Sequence, residues 1–198
     1  MSILPLKPET SDISDIAVLP LQATRPVFDV RPATMDDFDE LNRLWHQLDA
    51  YHYLQDPVHF PVIKLDEPAR TEDYIECLIN RHDQTLLVAQ KRDGQPEQVT
   101  EAASSKLLGL ASVFLQTLAP NAIFPARVLF ELDNLVVDQN TRRMGVARAL
   151  CDSACQWAKG HGAREMSLNV YDFNSPARAF YEAMGFLPSK MQMRRQLL

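Results

Sequence analysis

The chain has 198 residues, of which 46% are hydrophobic, enough for one globular domain with a sizeable core. Its formal net charge of −6 leaves no basic surplus for binding nucleic acid, and no apolar run reaches the length that spans a membrane. The lack of a signal-peptide pattern and an odd count of three cysteines without framework spacing predict a cytoplasmic protein with no metal site.

The N-terminal quarter of the chain predicts an arm, a strand and a helix. Residues 1–25 are rich in Pro, Ser, Thr and Asp, which predicts a flexible arm before a single domain over residues 26–198. The first strand of that domain is predicted over residues 28–34, and Thr34 or Asp36 caps a helix that ends at about Tyr53. Apolar residues at helical spacing support this helix: Phe38, Leu41, Leu44, Trp45 and Leu48.

The next segment predicts a helix and two strands. A loop with two prolines is predicted over residues 55–66, followed by a second helix over residues 68–82. Two antiparallel strands, over residues 85–91 and 106–116, flank a polar loop that contains Gly94 and Pro96.

A helix opens soon after the apolar strand predicted over residues 130–138. The N-terminus of a helix has unpaired N–H groups and a positive partial charge, so Arg142 and Arg143 oppose its dipole. An anion held between these arginines and the backbone amides removes that conflict, while Gly145 and Ala147 let the backbone come close. The segment Arg142-Arg143-Met144-Gly145-Val146-Ala147 therefore predicts a phosphate-binding loop. Dinucleotide and P-loop motifs do not occur in the chain.

A second strand and helix follow that loop. The strand is predicted over residues 166–171, and the next helix is capped by Asn174 or Ser175 and ended by Gly185. A strand–helix–strand order favours a parallel pair of strands joined by a right-handed crossover. Anion sites in such sheets lie beyond the carboxyl ends of the strands, which is where the phosphate-binding loop is predicted. Residues 191–197 alternate in polarity and predict a final strand.

Both of these segments resemble the signature motifs of the GNAT superfamily of N-acetyltransferases. The Gln/Arg-x-x-Gly-x-Gly/Ala loop of that family is matched by Arg142, Gly145 and Ala147, and its Glu-Leu-x-x-Leu-x-Val strand by residues 131–137. Its downstream motif is matched by Asn174, Ala177, Phe180, Tyr181, Gly185 and Phe186. The resemblance covers residues 26–198 in the order of elements, and its specific motifs lie within residues 131–186.

The resemblance implies an α/β fold with a mixed sheet, mostly antiparallel with one parallel strand pair, and about four flanking helices. It also implies acetyl-CoA as co-substrate. The family binds it through the backbone of Leu135, Val136 and Val137, the whole loop from Arg142 to Ala147, and Asn174. The expected reaction is transfer of the acetyl group to a primary amine of a small molecule by direct attack in a ternary complex. Two alternatives are acetylation of a protein N-terminus or lysine, and a non-catalytic acyl-CoA-binding module.

Catalytic roles follow from the same resemblance. Tyr181 is expected to donate a proton or a hydrogen bond to the leaving thiolate. Glu131 lies eleven positions before Arg142, where active family members carry a glutamate base, although an ordinary surface carboxylate fits the residue equally well. Asp133, His52 or a water relay are alternatives for the base.

The acceptor side is predicted from the walls that the first two helices and their loop form in this family. Five residues there are candidates to bind the amine substrate: Tyr51, His52, Tyr53, His59 and Phe60. Asp133 of the predicted strand is a sixth candidate. Their aromatic character favours a closed pocket over an open groove for a protein. A homodimer is possible, because the predicted C-terminal strand has the alternation needed to pair across a two-fold axis.

Overall fold

A computed structural model describes residues 28–92, 107–123, 125–195 and 197. Its five strands are β1 (Phe28–Pro32), β2 (Gln84–Lys91), β3 (Leu107–Leu118), β4 (Arg127–Val137) and β5 (Met166–Leu168). Its four α-helices are α1 (Phe38–Gln55), α2 (Glu72–Asn80), α3 (Val146–Gly160) and α4 (Ser175–Ala183). The predicted arm over residues 1–25 and the loop with Gly94 and Pro96 lie outside the described residues.

All five strands belong to one sheet, in the order β1–β2–β3–β4–β5. The first three pairings are antiparallel, and β4 and β5 pair in parallel across the crossover helix α3. The predicted mixed α/β sheet with one parallel pair is therefore confirmed.

Each face of the sheet is covered by different helices. On one face α1 and α2 bury Leu41, Trp45 and Ile75 against β2 and β3, and these three side chains are fully buried. On the other face α3 packs Leu150 and Ala154 against the sheet. We call these the α1/α2 face and the α3 face. The aromatic and aliphatic contacts of α4 also belong to the α3 face.

Local hydrogen bonds decide where the first two helices begin. Thr34 and Asp37 form a capping box on the 3-10 turn Met35–Asp37, which leads directly into α1. Arg31 binds the buried Asp37 carboxylate with two hydrogen bonds of 2.7 and 2.8 Å. The second helix begins at Glu72, later than predicted, because the Thr71 side chain accepts a hydrogen bond from the Tyr74 amide and caps it there.

A β-bulge interrupts β4 at Asp133. Ser112 of β3 pairs with Asn134 and Val113 pairs with Leu132, which leaves Asp133 as an extra residue between them. Phe130 and Leu132 both pack on the α3 face. Because the bulge shifts the alternation, Asp133 and Asn134 are both placed beside the α1/α2 face.

The structure corrects two strand predictions. The strand predicted over residues 166–171 ends at Leu168, so β5 is only half as long as expected. Residues 191–195 form no strand, and Met191 and Met193 stay exposed. Alternation alone did not suffice there, because a strand also needs a neighbouring edge, and these residues pair with none in the described part of the chain.

Candidate active site

The sheet opens between β4 and β5. Their last paired residues are Leu132 and Leu168, but β4 continues to Val137. On the side away from β3, residues 133–137 therefore have no neighbouring strand within the described residues. Leu135, Val136 and Val137 lie in this segment, so backbone N–H and C=O groups are available to a ligand along it.

The predicted phosphate-binding loop joins β4 to α3 in a left-handed backbone conformation. Arg143 has φ of 69°, which is unusual for a residue with a side chain, and Gly145 has φ of 84°. A Cβ atom at Gly145 would meet nothing within 4 Å, so glycine is needed for its backbone angle and not for space. Just before the loop, the buried Thr141 hydroxyl donates to the Leu108 carbonyl at 3.3 Å and ties this segment to the sheet.

The chemistry of this loop suits an anion. Gly145 is the N-cap of α3 and offers no side-chain hydrogen bond to the first amides of the helix. Arg142 and Arg143 are exposed, and neither has an ion pair or hydrogen bond within the described part of the chain. Met144 is also exposed. Two unpaired cations beside an uncapped helix N-terminus can bind a phosphate group.

A buried carboxylate anchors the start of the loop. Asp138 is 2% exposed and forms an ion pair with Arg43. It also accepts hydrogen bonds from the side-chain amide of Gln47 at 3.2 Å and from the backbone amide of Asn140 at 2.8 Å. Burial opposes ionisation of Asp138, but the hydrogen bonds from Asn140 and Arg43 outweigh it and lower the pKa. Through Arg43 and Gln47, helix α1 thus holds the segment that leads into the phosphate-binding loop.

A glycine allows α3 to begin close to the sheet. A Cβ atom at Gly109 of β3 would lie 2.6 Å from the Val136 carbonyl oxygen. It would also lie 3.1 Å from side-chain atoms of Val146 and Leu150 at the start of α3. Only glycine fits this position without a shift of the helix or the strand.

Tyr181 projects from α4 into the α3 face. It is half-buried between Phe180 and Phe186, whose ring centroids lie 5.3 and 5.7 Å from its own. Burial, with a smaller effect of the Cys151 thiol, raises the pKa of Tyr181 to about 12. The phenol therefore stays protonated at neutral pH. Asn174 caps this helix by accepting the Ala177 amide at 3.2 Å.

Two carboxylates of β4 lie towards the α1/α2 face. Glu131 stands between two residues of the α3 face, so its side chain points the other way, where Asn169 donates a hydrogen bond to it. Asp133 accepts hydrogen bonds from Asn134 and, at 3.5 Å, from Ser112. Partial burial raises the pKa of Asp133, against smaller lowering effects of the Ser112 hydrogen bond and the positive charge of Arg70.

A cavity of about 500 Å³ opens at the bulge of β4, where Asn134 lines it and the two carboxylates do not. Its walls come from α1, from the loop between α1 and α2, from the bulge of β4, and from the segment after β5. The residues are His46, Leu48, Asp49, His52, residues 60–64 and 67–70, Asn134 and Tyr171. Of the predicted acceptor residues, His52 and Phe60 line this cavity. Tyr51, Tyr53 and Asp133 do not line it, and the exposed His59 binds Asp56 at 2.8 Å outside it.

One end of the cavity is closed by an aromatic cluster. His52 stacks on Phe60 with 4.9 Å between ring centroids, and the two rings meet Tyr171 edge-on at 5.3 and 5.2 Å. Phe173 stacks on Tyr171 at 5.1 Å, and Tyr51 lies 6.3 Å from Phe173. Burial lowers the pKa of His52, with an opposing effect of Asp49, so this imidazole is neutral at physiological pH.

Sequence reasoning missed several residues of the site. No motif pointed to Arg43, Gln47 or Asp138. The one usable sign was that Asp138 is an acidic residue at the end of an apolar strand, a position where it can cap the turn that follows. Gly109 looked like any strand glycine, although such glycines often mark close backbone approach. Tyr171 was taken as the end of a strand, whereas it lies beyond β5 and faces the cavity.

Two searches of the described residues bear on other functions. Residues 28–92, 107–123, 125–195 and 197 contain no group of three or more His, Cys, Asp or Glu side chains arranged to hold a metal ion. Over the same ranges, no helix combines the length and the apolar character required to cross a membrane.

Comparison of the sequence with protein families gives one match to most of the chain. The model of the acetyltransferase (GNAT) family matches residues 42–186. A curated protein, glucosamine 6-phosphate N-acetyltransferase of Trypanosoma brucei brucei, is 28% identical over 94 residues. That match covers 48% of this chain and 60% of the curated protein, so less than two-thirds of the relative is spanned.

Solved structures share the fold. A point mutant of the BH1408 protein from Bacillus halodurans is 25% identical with a TM-score of 0.73, over 86% of this chain and 99% of that one. The aminoglycoside N-acetyltransferase AAC(6')-Iy in complex with CoA has a TM-score of 0.57 at 16% identity, over 86% of this chain and 100% of that one. At this identity the second likeness concerns the fold alone.

Proposed function

The chain belongs to the acetyltransferase (GNAT) family, and from this premise we propose that it transfers the acetyl group of acetyl-CoA to a primary amine of a small molecule. The observation that carries the proposal is that Arg142 and Arg143, which have no partner among the described residues, lie beside the uncapped N-terminus of α3. A bound pyrophosphate would neutralise the charge of both arginines and accept hydrogen bonds from the free amide groups of the helix.

Three parts of the chain bind acetyl-CoA. The loop from Arg142 to Ala147 holds the pyrophosphate. The open edge of β4 at Leu135, Val136 and Val137 offers backbone hydrogen bonds to the extended pantetheine arm. The arm would then lie beside β4 in the place of a further strand. Asn174 uses its Oδ1 atom within the protein, which leaves its Nδ2 group to donate to the ligand.

Acetyl-CoA supplies a thioester whose carbonyl carbon an amine attacks. A backbone amide near Val137 stabilises the negative charge that develops on the carbonyl oxygen. Tyr181 donates a hydrogen bond to the sulfur as the carbon–sulfur bond breaks. Because its pKa is about 12, above the ~8.5 of a thiol, Tyr181 stabilises the thiolate mainly by this hydrogen bond, and solvent protons complete the thiol.

A carboxylate of β4 accepts the proton of the attacking amine. An alkylammonium has a pKa of about 10, so at neutral pH the amine must lose a proton before it attacks. Glu131 and Asp133 both lie towards the α1/α2 face of the sheet, and one of them accepts this proton directly or through water. The raised pKa of Asp133 makes it a stronger base than an ordinary aspartate.

A small-molecule acceptor is favoured over a protein by the shape of the acceptor side. The cavity of about 500 Å³ has the size of a small-ligand site. The aromatic cluster closes one end of it, where an open groove would be needed for an extended peptide.

The test is release of free thiol from acetyl-CoA in the presence of primary amines, with Tyr181→Phe and Tyr53→Phe compared with the wild type. Tyr181→Phe should lower turnover tenfold or more and leave acetyl-CoA affinity unchanged, since general acid and hydrogen-bonding groups contribute ~10²–10⁴-fold. The Tyr53 hydroxyl has no hydrogen bond within the described residues, so Tyr53→Phe should be fully active. Binding of acetyl-CoA without thiol release from any amine would contradict the proposal and indicate a binding module.

A further inference from the structure

On the basis of the proposed function, we infer that the acceptor is a primary amine carried on an uncharged, apolar body, such as an arylalkyl or branched alkyl amine. The inference concerns the cavity at the bulge of β4, and it rests on the apolar side chains of its walls, on the pairing of its charged side chains and on the polar end at the bulge.

The outer walls of the cavity are apolar. Phe60, Pro61, Val62 and Ile63 form one side, and Pro68 and Ala69 form another. Transfer of an apolar group from water to such a wall is favourable by ~25 cal/mol for each Å² that is buried. The same walls offer no hydrogen-bonding groups for the hydroxyls of a sugar beyond the backbone.

The charged side chains of the cavity already neutralise each other. Arg70 binds Asp49 through two hydrogen bonds of 2.9 and 3.1 Å, and it also donates to the Ala69 carbonyl at 2.7 Å. Lys64 pairs with Glu67 at 2.9 Å. Every Asp, Glu, Lys or Arg side chain among the described residues that line the cavity is therefore in an ion pair, and a phosphate or a second ammonium group would have to compete with the partner already present.

The polar end of the cavity lies at the bulge of β4. Asn134 lines the cavity and donates a hydrogen bond to the neighbouring Asp133. Asp133 is the carboxylate that this bulge turns towards the α1/α2 face. An amine that enters with its apolar body along Phe60 and Ile63 would thus place its nitrogen beside Asn134, whose hydrogen-bond partner Asp133 lies just outside the lining of the cavity.

This arrangement differs from what the relatives' names suggest. Glucosamine 6-phosphate carries a dianionic phosphate, and binding one usually requires arginines or lysines that are free to surround it. Aminoglycosides carry several ammonium groups, which call for several unpaired carboxylates. Neither set is present among the described residues that line this cavity.

The experiment compares primary amines that differ in the charge carried by the rest of the molecule. Phenethylamine and isoamylamine are assayed against phosphoethanolamine, putrescine and glucosamine 6-phosphate by thiol release from acetyl-CoA. The expected kcat/KM for the two apolar amines is at least about 100-fold higher than for the three acceptors that carry a second charged group. Burial of hydrocarbon against the walls is favourable, whereas the second charged group gains no free partner.

Matched variants test the walls directly. Phe60→Ala should raise the KM for phenethylamine about tenfold while the KM for acetyl-CoA stays within about twofold. Val58→Ala is the control, because Val58 is 84% exposed on the same loop and does not line the cavity. Ile63→Lys adds an unpaired cation to the wall and should improve kcat/KM for phosphoethanolamine about tenfold, a gain that misfolding cannot produce.

The possible outcomes separate the two proposals. A wild-type preference for phosphoethanolamine, glucosamine 6-phosphate or putrescine would overturn the apolar acceptor and leave the acetyltransferase intact. Equal loss of phenethylamine turnover in Phe60→Ala and Val58→Ala would also overturn it. Absence of thiol release with every amine would refute the acetyltransferase proposal and the acceptor class together.

Discussion

The hydroxyl of Tyr51 donates a hydrogen bond to Oδ1 of Asn174 at 3.3 Å and so joins the end of α1 to the start of α4. The same oxygen caps α4 by accepting the amide of Ala177. One wall of the acceptor side is thus connected to the helix that carries Tyr181. At its middle, α1 also holds the phosphate-binding segment through Asp138, so a single helix contacts both halves of the site.

Tyr51→Phe removes the bond between these two helices and keeps the aromatic ring. We expect the free energy of unfolding to fall by ~1 kcal/mol, the usual contribution of one hydrogen bond. The KM for the acceptor should rise about threefold as the two helices separate. Urea unfolding and steady-state kinetics measure the two effects. Tyr53→Phe, from the same helix, is the control, and equal behaviour of the two variants would show that the bond to Asn174 contributes nothing.

The pH dependence of kcat/KM distinguishes the two candidate bases. A base must be ionised, so activity declines as the pH falls through its pKa, and for Asp133 that decline lies above the ordinary aspartate value of ~3.9 because its pKa is raised. If Asp133 is the base, Asp133→Asn should lower kcat/KM tenfold or more and abolish this limb of the profile. If Glu131 is the base, Glu131→Gln should instead lower kcat/KM tenfold or more, and Asp133→Asn should leave the acidic limb of the profile in place. A profile that neither variant alters would leave proton removal to His52 or to a water relay.

Gly109→Ala tests the close approach of α3 to the sheet. The added methyl group meets the Val136 carbonyl at 2.6 Å, and overpacking of this kind costs ~1–3 kcal/mol. Because the same shift moves the start of α3, acetyl-CoA should also bind more weakly. Thermal unfolding with and without acetyl-CoA measures both. Gly160→Ala is the control: it has no atom within 4 Å of the new methyl group, so stability should stay equal or increase by up to ~1 kcal/mol.

Arg142→Gln tests the phosphate-binding loop. Loss of one unpaired cation should weaken acetyl-CoA binding by ~1 kcal/mol, or about fivefold, and reduce the salt dependence of the dissociation constant. Titration calorimetry at low and high salt provides the measurement. Lys159→Gln removes the same charge from the far end of α3 and should leave affinity unchanged. Equal losses in both variants would mean that only the overall charge of the protein matters.

Much of the second half of the fold was predictable from sequence. The loop between β4 and α3, the cap at Asn174 and the helix end at Gly185 depend on residues that act within a few positions, and they occur where predicted. Phosphate binding by that loop stays a prediction. The family assignment rested on the same segments and is confirmed by the match over residues 42–186. The strand predicted at residues 191–197 was wrong for residues 191–195, since pairing depends on an edge elsewhere in the fold.

The sequence by itself therefore determined most of the order of elements and the cap of α4, because capping bonds and periodicity are local properties. Only the tertiary structure decided which side chains meet across the site. Arg43 reaches Asp138 over 95 residues of chain, and Tyr51 reaches Asn174 over 123. Such contacts depend on how helices pack on a twisted sheet and on the one-residue bulge at Asp133, and no local pattern encodes either.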